Sequence, residues 1–218
     1  MIVIKPYYEI LTEISDNGIK ELQKIEKAAR VCYKSEDKIT DDGESAKKIV
    51  SSLIKSGHEA MIEHSQLTVK FVCDRGVSHE LVRHRLFSFA QESQRYCNYS
   101  KDKFNANITF IEPFFWNRDD GDENKNFLYR VWADACENAE FRYFQLLSNG
   151  ATPQEARTVL PNSTKTEIVV TGNYREWRAF FKLRIDNAAH PQMRELTIPL
   201  LNELKRKIPV IFDDIILN

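Results

Sequence analysis

Residues 83 to 96 read RHRLFSFAQESQRY. Three guanidiniums (Arg83, Arg85, Arg95), an imidazole (His84), two serines (Ser88, Ser93) and two amides (Gln91, Gln94) fall within fourteen residues. Arginine offers its donors as a rigid planar fork that grips phosphate or carboxylate in a bidentate way. Three such charges held close repel one another unless an anion lies between them. The segment therefore reads as a site for a phosphorylated ligand. Phe87, Phe89, Tyr96 and Tyr99 flank it, either as core or as surfaces on which a base can stack. Arginines interleaved with aromatics also describe single-stranded nucleic-acid binders. Glu80 and Glu92, set among the arginines, interrupt a long polyanion track and favour one compact ligand.

Other residues invite chemistry with less support. Arg184 falls three residues past Phe181 and seven past Trp177, on the same face of a predicted helix. A guanidinium on an apolar face has to be paired. Its partner is either Asp186, Glu176 or solvent, or an electron-rich ligand. His58 and His64 bracket Glu59 and Glu63, but Ile62 stands where H-E-x-x-H needs its second histidine, so no metal is expected. Cys97 has no adjoining histidine to activate it, and a small buried thiol is the simpler reading.

These residues need elements to hold them. Ile2 to Ile10 reads as a first strand. Ile19, Leu22, Ile25, Ala29 and Cys32 form a helical stripe, and Ala46 to Ile54 forms another that stops at Gly57. Leu67, Val69, Phe71 and Cys73 alternate as in a strand, and a short helix follows from Val77 into Arg83. Residues 97 to 126 look irregular around a strand at 108–111, with 119–126 the most loop-like stretch. A long helix spans Phe127 to Leu147. Thr152-Pro153-Gln154-Glu155 is a capping box with proline at the first helical position, placing Arg157 in the opening turns of a helix. Thr166 to Thr171 is strand-like. Asn173 caps a helix running to about Ile185. A last helix covers Gln192 to Arg206, with Pro199 inside it. The expectation is α+β: one domain over residues 1–218, with a small, mostly antiparallel sheet and several long helices.

Composition narrows the function classes. The chain carries 31 basic against 32 acidic residues, so its arginines act locally rather than through a basic surface. Nucleic acid and membrane are therefore not expected as partners; no apolar run approaches the ~20 residues of a membrane span. The start, Met1 to Lys5 followed by Pro6, is unlike a signal peptide. Cys32, Cys73, Cys97 and Cys136 lack paired spacing and read as free thiols of a cytoplasmic protein. No G-x-G-x-x-G or P-loop pattern occurs, so side chains would have to hold any nucleotide.

The ordered set of motifs resembles the flavin-dependent thymidylate synthases. Arg83-His84-Arg85, seven residues, Ser93 and then Arg95-Tyr96 match the signature of that family. Ala28-Ala29-Arg30, Gly57-His58-Glu59 with Glu63-His64, Glu155-Ala156-Arg157 with Val159-Leu160-Pro161, and Thr171-Gly172-Asn173-Tyr174-Arg175 match further landmarks in order, over about residues 1 to 210. The resemblance implies reductive methylation of dUMP to dTMP, with methylene-tetrahydrofolate as carbon donor, FAD as cofactor and NADPH as reductant. It implies a dUMP site of Glu80, Arg83, Gln91, Glu92, Ser93, Gln94, Arg95, Arg157 and Arg184. Arg184 would be catalytic. Ser93 is the other candidate catalytic residue, either binding phosphate or acting as nucleophile. FAD would be held by His58, Arg83, His84, Arg85, Gln91, Asn173, Tyr174 and Arg175. The implied assembly is a homotetramer with sites shared between subunits. Ala179, Cys32, Ala60 and His190 stand where relatives often carry other polar residues. The alternatives are a nucleotide-binding homologue without turnover and a nucleic-acid-binding module.

Overall fold

The computed structural model describes residues 1–14, 16–101, 107–116 and 121–217. The chain is helix-rich with small sheets. It forms two compact units from interleaved segments. The first comprises Met1–Tyr7, Phe71–Arg83 and Phe89–Val169; the second comprises Tyr8–Lys70, His84–Ser88 and Val170–Asn218.

The strand expected over Ile2 to Ile10 is two strands, β1 (Ile2–Ile4) and β2 (Tyr7–Ile10). Pro6 lies at the break, where its missing N–H cannot continue a ladder. β1 pairs in parallel with β5 (Thr109–Ile111). The larger sheet has the order β2-β3-β6-β4 and is antiparallel as expected, leaving the β1–β5 pair as the parallel exception. Here β3 is Gln66–Asp74, β4 is Ser88–Gln91 and β6 is Lys165–Asn173. Partners run in opposite directions along each pair. Leu11 N–H donates to Thr68 O at 2.9 Å, while Glu9 meets Lys70 at 2.6 Å. Tyr174 N–H donates to Ser65 O at 3.2 Å, and Thr68 Oγ1 lies 3.0 Å from Thr171 Oγ1.

In the first unit, α3 (Arg75–Leu81) starts two residues before the predicted Val77, because Asp74 accepts the Val77 N–H at 2.7 Å and caps it. α4 (Glu123–Ser148) likewise begins inside the stretch expected to be loop. Asp122 accepts the N–H groups of Asn124 and Lys125 and satisfies that terminus. Residues 117–120 and 102–106 of the predicted irregular region lie outside the described residues. The capping box at Thr152 and Glu155 forms, but α5 (Pro153–Ala156) is one turn long. Arg157 therefore sits in a 3-10 turn (Arg157–Val159) rather than in the opening turns of a helix; Pro161 follows too closely for a helix to continue. The core here joins Tyr99, Ile108, Phe110, Cys136, Tyr143 and Ala156.

The second unit stacks helices with apolar stripes. α1 (Ile19–Val31) and α2 (Glu44–Lys55) bury Leu22, Ile25, Ala29, Ala46 and Val50. α6 (Tyr174–Arg184) buries Trp177, Phe180 and Phe181, and α7 (Pro191–Lys207) buries Met193, Leu196, Leu200, Leu201 and Leu204. A short α8 (Pro209–Phe212) closes the order. Like Glu26, Arg178, only 1% exposed, is a charged group of this interior. It pairs with Asp214 at 2.6 and 2.7 Å, with Glu59 at 3.1 Å, and with the Ile211 carbonyl. Its fork is thus satisfied on every side, as a buried guanidinium requires. Among the described residues no helix is long and apolar enough to cross a membrane.

Candidate functional site

The predicted site residues divide between the two units. The first holds Glu80, Arg83, the run Gln91 to Arg95, and Arg157. Arg83 follows α3 directly and its N–H donates to Glu80 O at 3.3 Å. The run from Gln91 leaves β4, a strand missing from the sequence reading because its four residues sit inside the polar cluster. Gln91 Nε2 donates to Ser78 Oγ at 2.9 Å and Thr166 Oγ1 at 3.2 Å. Glu92 N–H donates to Glu167 O at 2.8 Å, which extends the strand pairing.

The Glu92 carboxylate is engaged within this unit. Oε2 takes a hydrogen bond from Lys165 Nζ at 3.1 Å, and Oε1 accepts one from the Tyr99 hydroxyl at 3.4 Å. Burial works against the charge of Lys165, but its bonds to Glu167 and Glu92 hold its pKa above the ordinary value. Burial and Glu92 together push the Tyr99 hydroxyl up. Arg75 NH1 donates to the Glu92 carbonyl and to Thr166 Oγ1, both at 3.4 Å. Arg75, Ser78, Tyr99, Lys165 and Thr166 thus brace the run. Of these the sequence pointed only to Tyr99, as an aromatic flanking the cluster; Lys165 and Thr166 are remote in sequence from the residues they support.

Beyond Glu92 the chain turns on Ser93. Its carbonyl accepts the N–H groups of Tyr96 and Cys97, and its Oγ accepts the Arg95 N–H at 3.3 Å. Ser93 thus orders the turn, satisfying three N–H groups that follow it. Gln94 is 9% exposed. Its side chain meets the Tyr99 hydroxyl and works against the rise in that group's pKa. Arg83 and Arg95 are exposed, Arg157 is half-buried, and none has an ion-pair partner among the described residues.

The second unit holds His58, His84, Arg85, Asn173, Tyr174, Arg175 and Arg184. Asn173 caps α6 as predicted, accepting the Glu176 N–H at 2.9 Å. Arg184 is the last residue of that helix. Its Nε donates to His84 Nε2 at 2.9 Å. The His84 ring lies edge-on to Phe180 at 4.9 Å and tilted to Phe87 at 5.9 Å. Burial, reinforced by the Arg184 charge, lowers its pKa to about 4. His84 is therefore neutral near pH 7, with Nε2 as the acceptor and the proton on Nδ1.

Tyr174 departs from its expected place. Its ring is fully buried against Phe212 at 5.9 Å, and burial raises its hydroxyl pKa. At the first position of α6 the side chain turns into the core, which leaves the neighbouring Arg175 to face outward. Arg175 is exposed and pairs with Glu63 at 2.6 Å. His58 is exposed ahead of a 3-10 turn, Glu59–His64, and Gly57 before it takes φ 72°. Arg85 is exposed, as are Leu86 at 74% and Leu183 at 57%.

The family model described as thymidylate synthase complementing protein matches residues 16–210. A flavin-dependent thymidylate synthase of Corynebacterium aurimucosum is 36% identical, over 91% of this chain and 82% of its own. Proteins of the same name from Corynebacterium efficiens and a Mycobacterium species (strain JLS) are each 34% identical, over 87% of this chain and 78% of theirs. Among solved structures, a UMP/dUMP methylase, PolB, from Streptomyces cacaoi, bound with 5-Br dUMP, superposes with a TM-score of 0.78. That match covers 98% of this chain and 96% of that one at 24% identity, and it carries the fold.

Proposed function

Because the chain belongs to the thymidylate synthase complementing protein family, we propose that it is a flavin-dependent thymidylate synthase converting dUMP to dTMP. Methylene-tetrahydrofolate is the carbon donor, NADPH the reductant and FAD the cofactor. One observation carries the reading: Arg184 ends a helix with a buried aromatic face, its guanidinium bonded to a neutral imidazole. A uracil ring accepts a reducing equivalent only as the charge developing on it is stabilised. A fixed cation in a partly buried position supplies that stabilisation without reorganising.

The residues of the first unit suit the nucleotide. Arg83, Arg95 and Arg157, uncompensated by carboxylates, match a phosphate dianion. The Ser93 turn and the buried Gln94 amide give this run a fixed, polar shape. With Glu92 paired to Lys165, its carboxylate need not face the phosphate. Gln91 is held in place by Ser78 and Thr166, and Glu80 stands at the edge.

The residues of the second unit suit the flavin. Arg85 and Arg175 offer cations to its phosphates, and Asn173 and His58 offer polar contacts. His84 belongs to the same set, whereas Tyr174 contributes through its backbone. Leu86 and Leu183, next in sequence to Arg85 and Arg184, expose apolar surface of the kind that covers a planar ring. Bound FAD supplies the electrons of the reduction.

The working form in this reading is a cytoplasmic homotetramer with sites shared between subunits. α4 supports assembly, since it buries only Cys136 and Tyr143 and leaves Phe127, Val131 and Phe141 exposed.

The test is direct. Purified protein is expected to be yellow, to bleach with NADPH faster when dUMP is present, and to form dTMP once methylene-tetrahydrofolate is added. Protein that takes up FAD and dUMP without forming dTMP would be a binding homologue. Colourless protein that shifts RNA in a salt-dependent way would be a nucleic-acid module. In the same assay Ser93→Ala is expected to weaken dUMP binding about tenfold, the cost of roughly one hydrogen bond, while retaining turnover. Complete loss of chemistry at unchanged dUMP affinity would instead make Ser93 the nucleophile.

A further inference from the structure

We propose that His84 is a positioning residue for Arg184, its Nε2 accepting the Arg184 Nε–H and so fixing the plane in which the guanidinium meets the nucleotide; this rests on the reading of Arg184 given above. The bond is 2.9 Å long and joins residues one hundred positions apart. A guanidinium is planar, so tying Nε sets the direction of both terminal nitrogens.

Both partners are themselves held. The Arg184 carbonyl accepts a hydrogen bond from Thr197 Oγ1 at 3.0 Å, and Thr197 is fully buried on α7. The imidazole is confined by Phe180 and Phe87, and Phe87 is seated against Trp177 at 4.8 Å. The arginine is thus fixed at its backbone and at Nε, which removes much of the rotamer freedom that a long side chain would otherwise lose on meeting its ligand.

The choice of histidine follows from electrostatics. A carboxylate in this place would hold Arg184 more strongly, but it would neutralise the charge that the reaction uses. A neutral imidazole orients the cation without adding a negative charge of its own. Phe180 and Phe87, which line the imidazole, bring no charge of their own. His84 therefore acts on the substrate through Arg184, apart from any contact of its own with the flavin.

The test uses the FAD-loaded protein and three variants. His84→Phe keeps a ring in the aromatic box and removes the acceptor; His84→Gln keeps a neutral acceptor at similar reach; His84→Leu is a second acceptor-free variant should the phenylalanine not fold. Two quantities are read: kcat and the dUMP KM per bound flavin, and the proton–nitrogen resonance of Arg184 Nε, assigned by its loss in Arg184→Ala. The acceptor-free variants are expected to lower kcat per flavin about tenfold to a hundredfold, the worth of one hydrogen bond to a charged group. They are also expected to lose the slowly exchanging Nε resonance. His84→Gln is expected to restore most of both. In an Arg184→Ala background His84→Phe is expected to add little further loss, as coupled residues do. If the Nε resonance persists in His84→Phe, or if His84→Gln is no better than His84→Phe, the positioning role is wrong. If the resonance disappears in His84→Phe while kcat holds, the bond stands and the catalytic reading of Arg184 fails instead.

Discussion

Arg184→Ala is expected to lower kcat for dTMP formation about a hundredfold to a thousandfold, the range typical of removing one fixed donor from a developing anion. Stability should change little. Arg184 is half-buried at the end of α6, and its bond to His84 is among the interactions the substitution releases. A loss near 1 kcal/mol corresponds to about 2–4 °C in Tm for a chain of this size. Melting and turnover measured on the same preparation separate the two effects. A further prediction attaches to Arg184→Lys. Lysine restores the positive charge but has no Nε–H to offer His84 and no planar fork, so it should recover only part of the loss. Turnover within about threefold of wild type in Arg184→Ala would remove the electrostatic account of this reaction.

The largest effect on stability is expected at Gly172. This glycine lies in β6 without a positive φ, so its backbone tolerates other residues. What it lacks is space. A Cβ built there would lie 2.0 Å from Phe87 Cδ1 and 2.2 Å from Cε1. The Phe87 ring cannot step aside freely, because Trp177 lies 4.8 Å away and Phe180 5.9 Å away. Gly172→Ala should therefore cost about 2–3 kcal/mol through overpacking, or roughly 4–12 °C in Tm. The damage should also reach function, since Phe87 lines the imidazole that holds Arg184. Combining Gly172→Ala with Phe87→Ala should cost less than the two single losses together, because the second change removes the clash made by the first. A Tm unchanged to within about a degree in Gly172→Ala would show that the ring relocates at little cost.

Much of the scaffold was legible because its signals are local. The stripes of α1 and α2, the stop at Gly57, the capping box at Thr152 and the Asn173 cap each depend on residues within about two helical turns of one another. Where local reading went astray, a competing local rule or short length explains it. Asp74 and Asp122 began α3 and α4 earlier than the apolar pattern suggested, because a cap satisfies backbone donors that hydrophobic spacing does not register. β4 was missed because four residues of mixed polarity carry no period of their own. The candidate site was legible as an inventory of residue types. Arginines, amides and a serine in fixed order carried the resemblance to the family that the chain belongs to.

What the sequence determined, then, was which groups are present and which helices carry them. Only the tertiary structure decided how they are engaged. It brought His84 to Arg184, tied Glu92 to Lys165, turned Tyr174 into the core and enclosed Arg178 between Glu59 and Asp214. The reason is physical. Hydrophobic period and capping are set by neighbours along the chain, whereas the partner of a buried charge is set by desolvation, which depends on what folding brings within about 3 Å of it. His84 and Arg184 are a hundred residues apart, and no pattern along the chain records that distance closing.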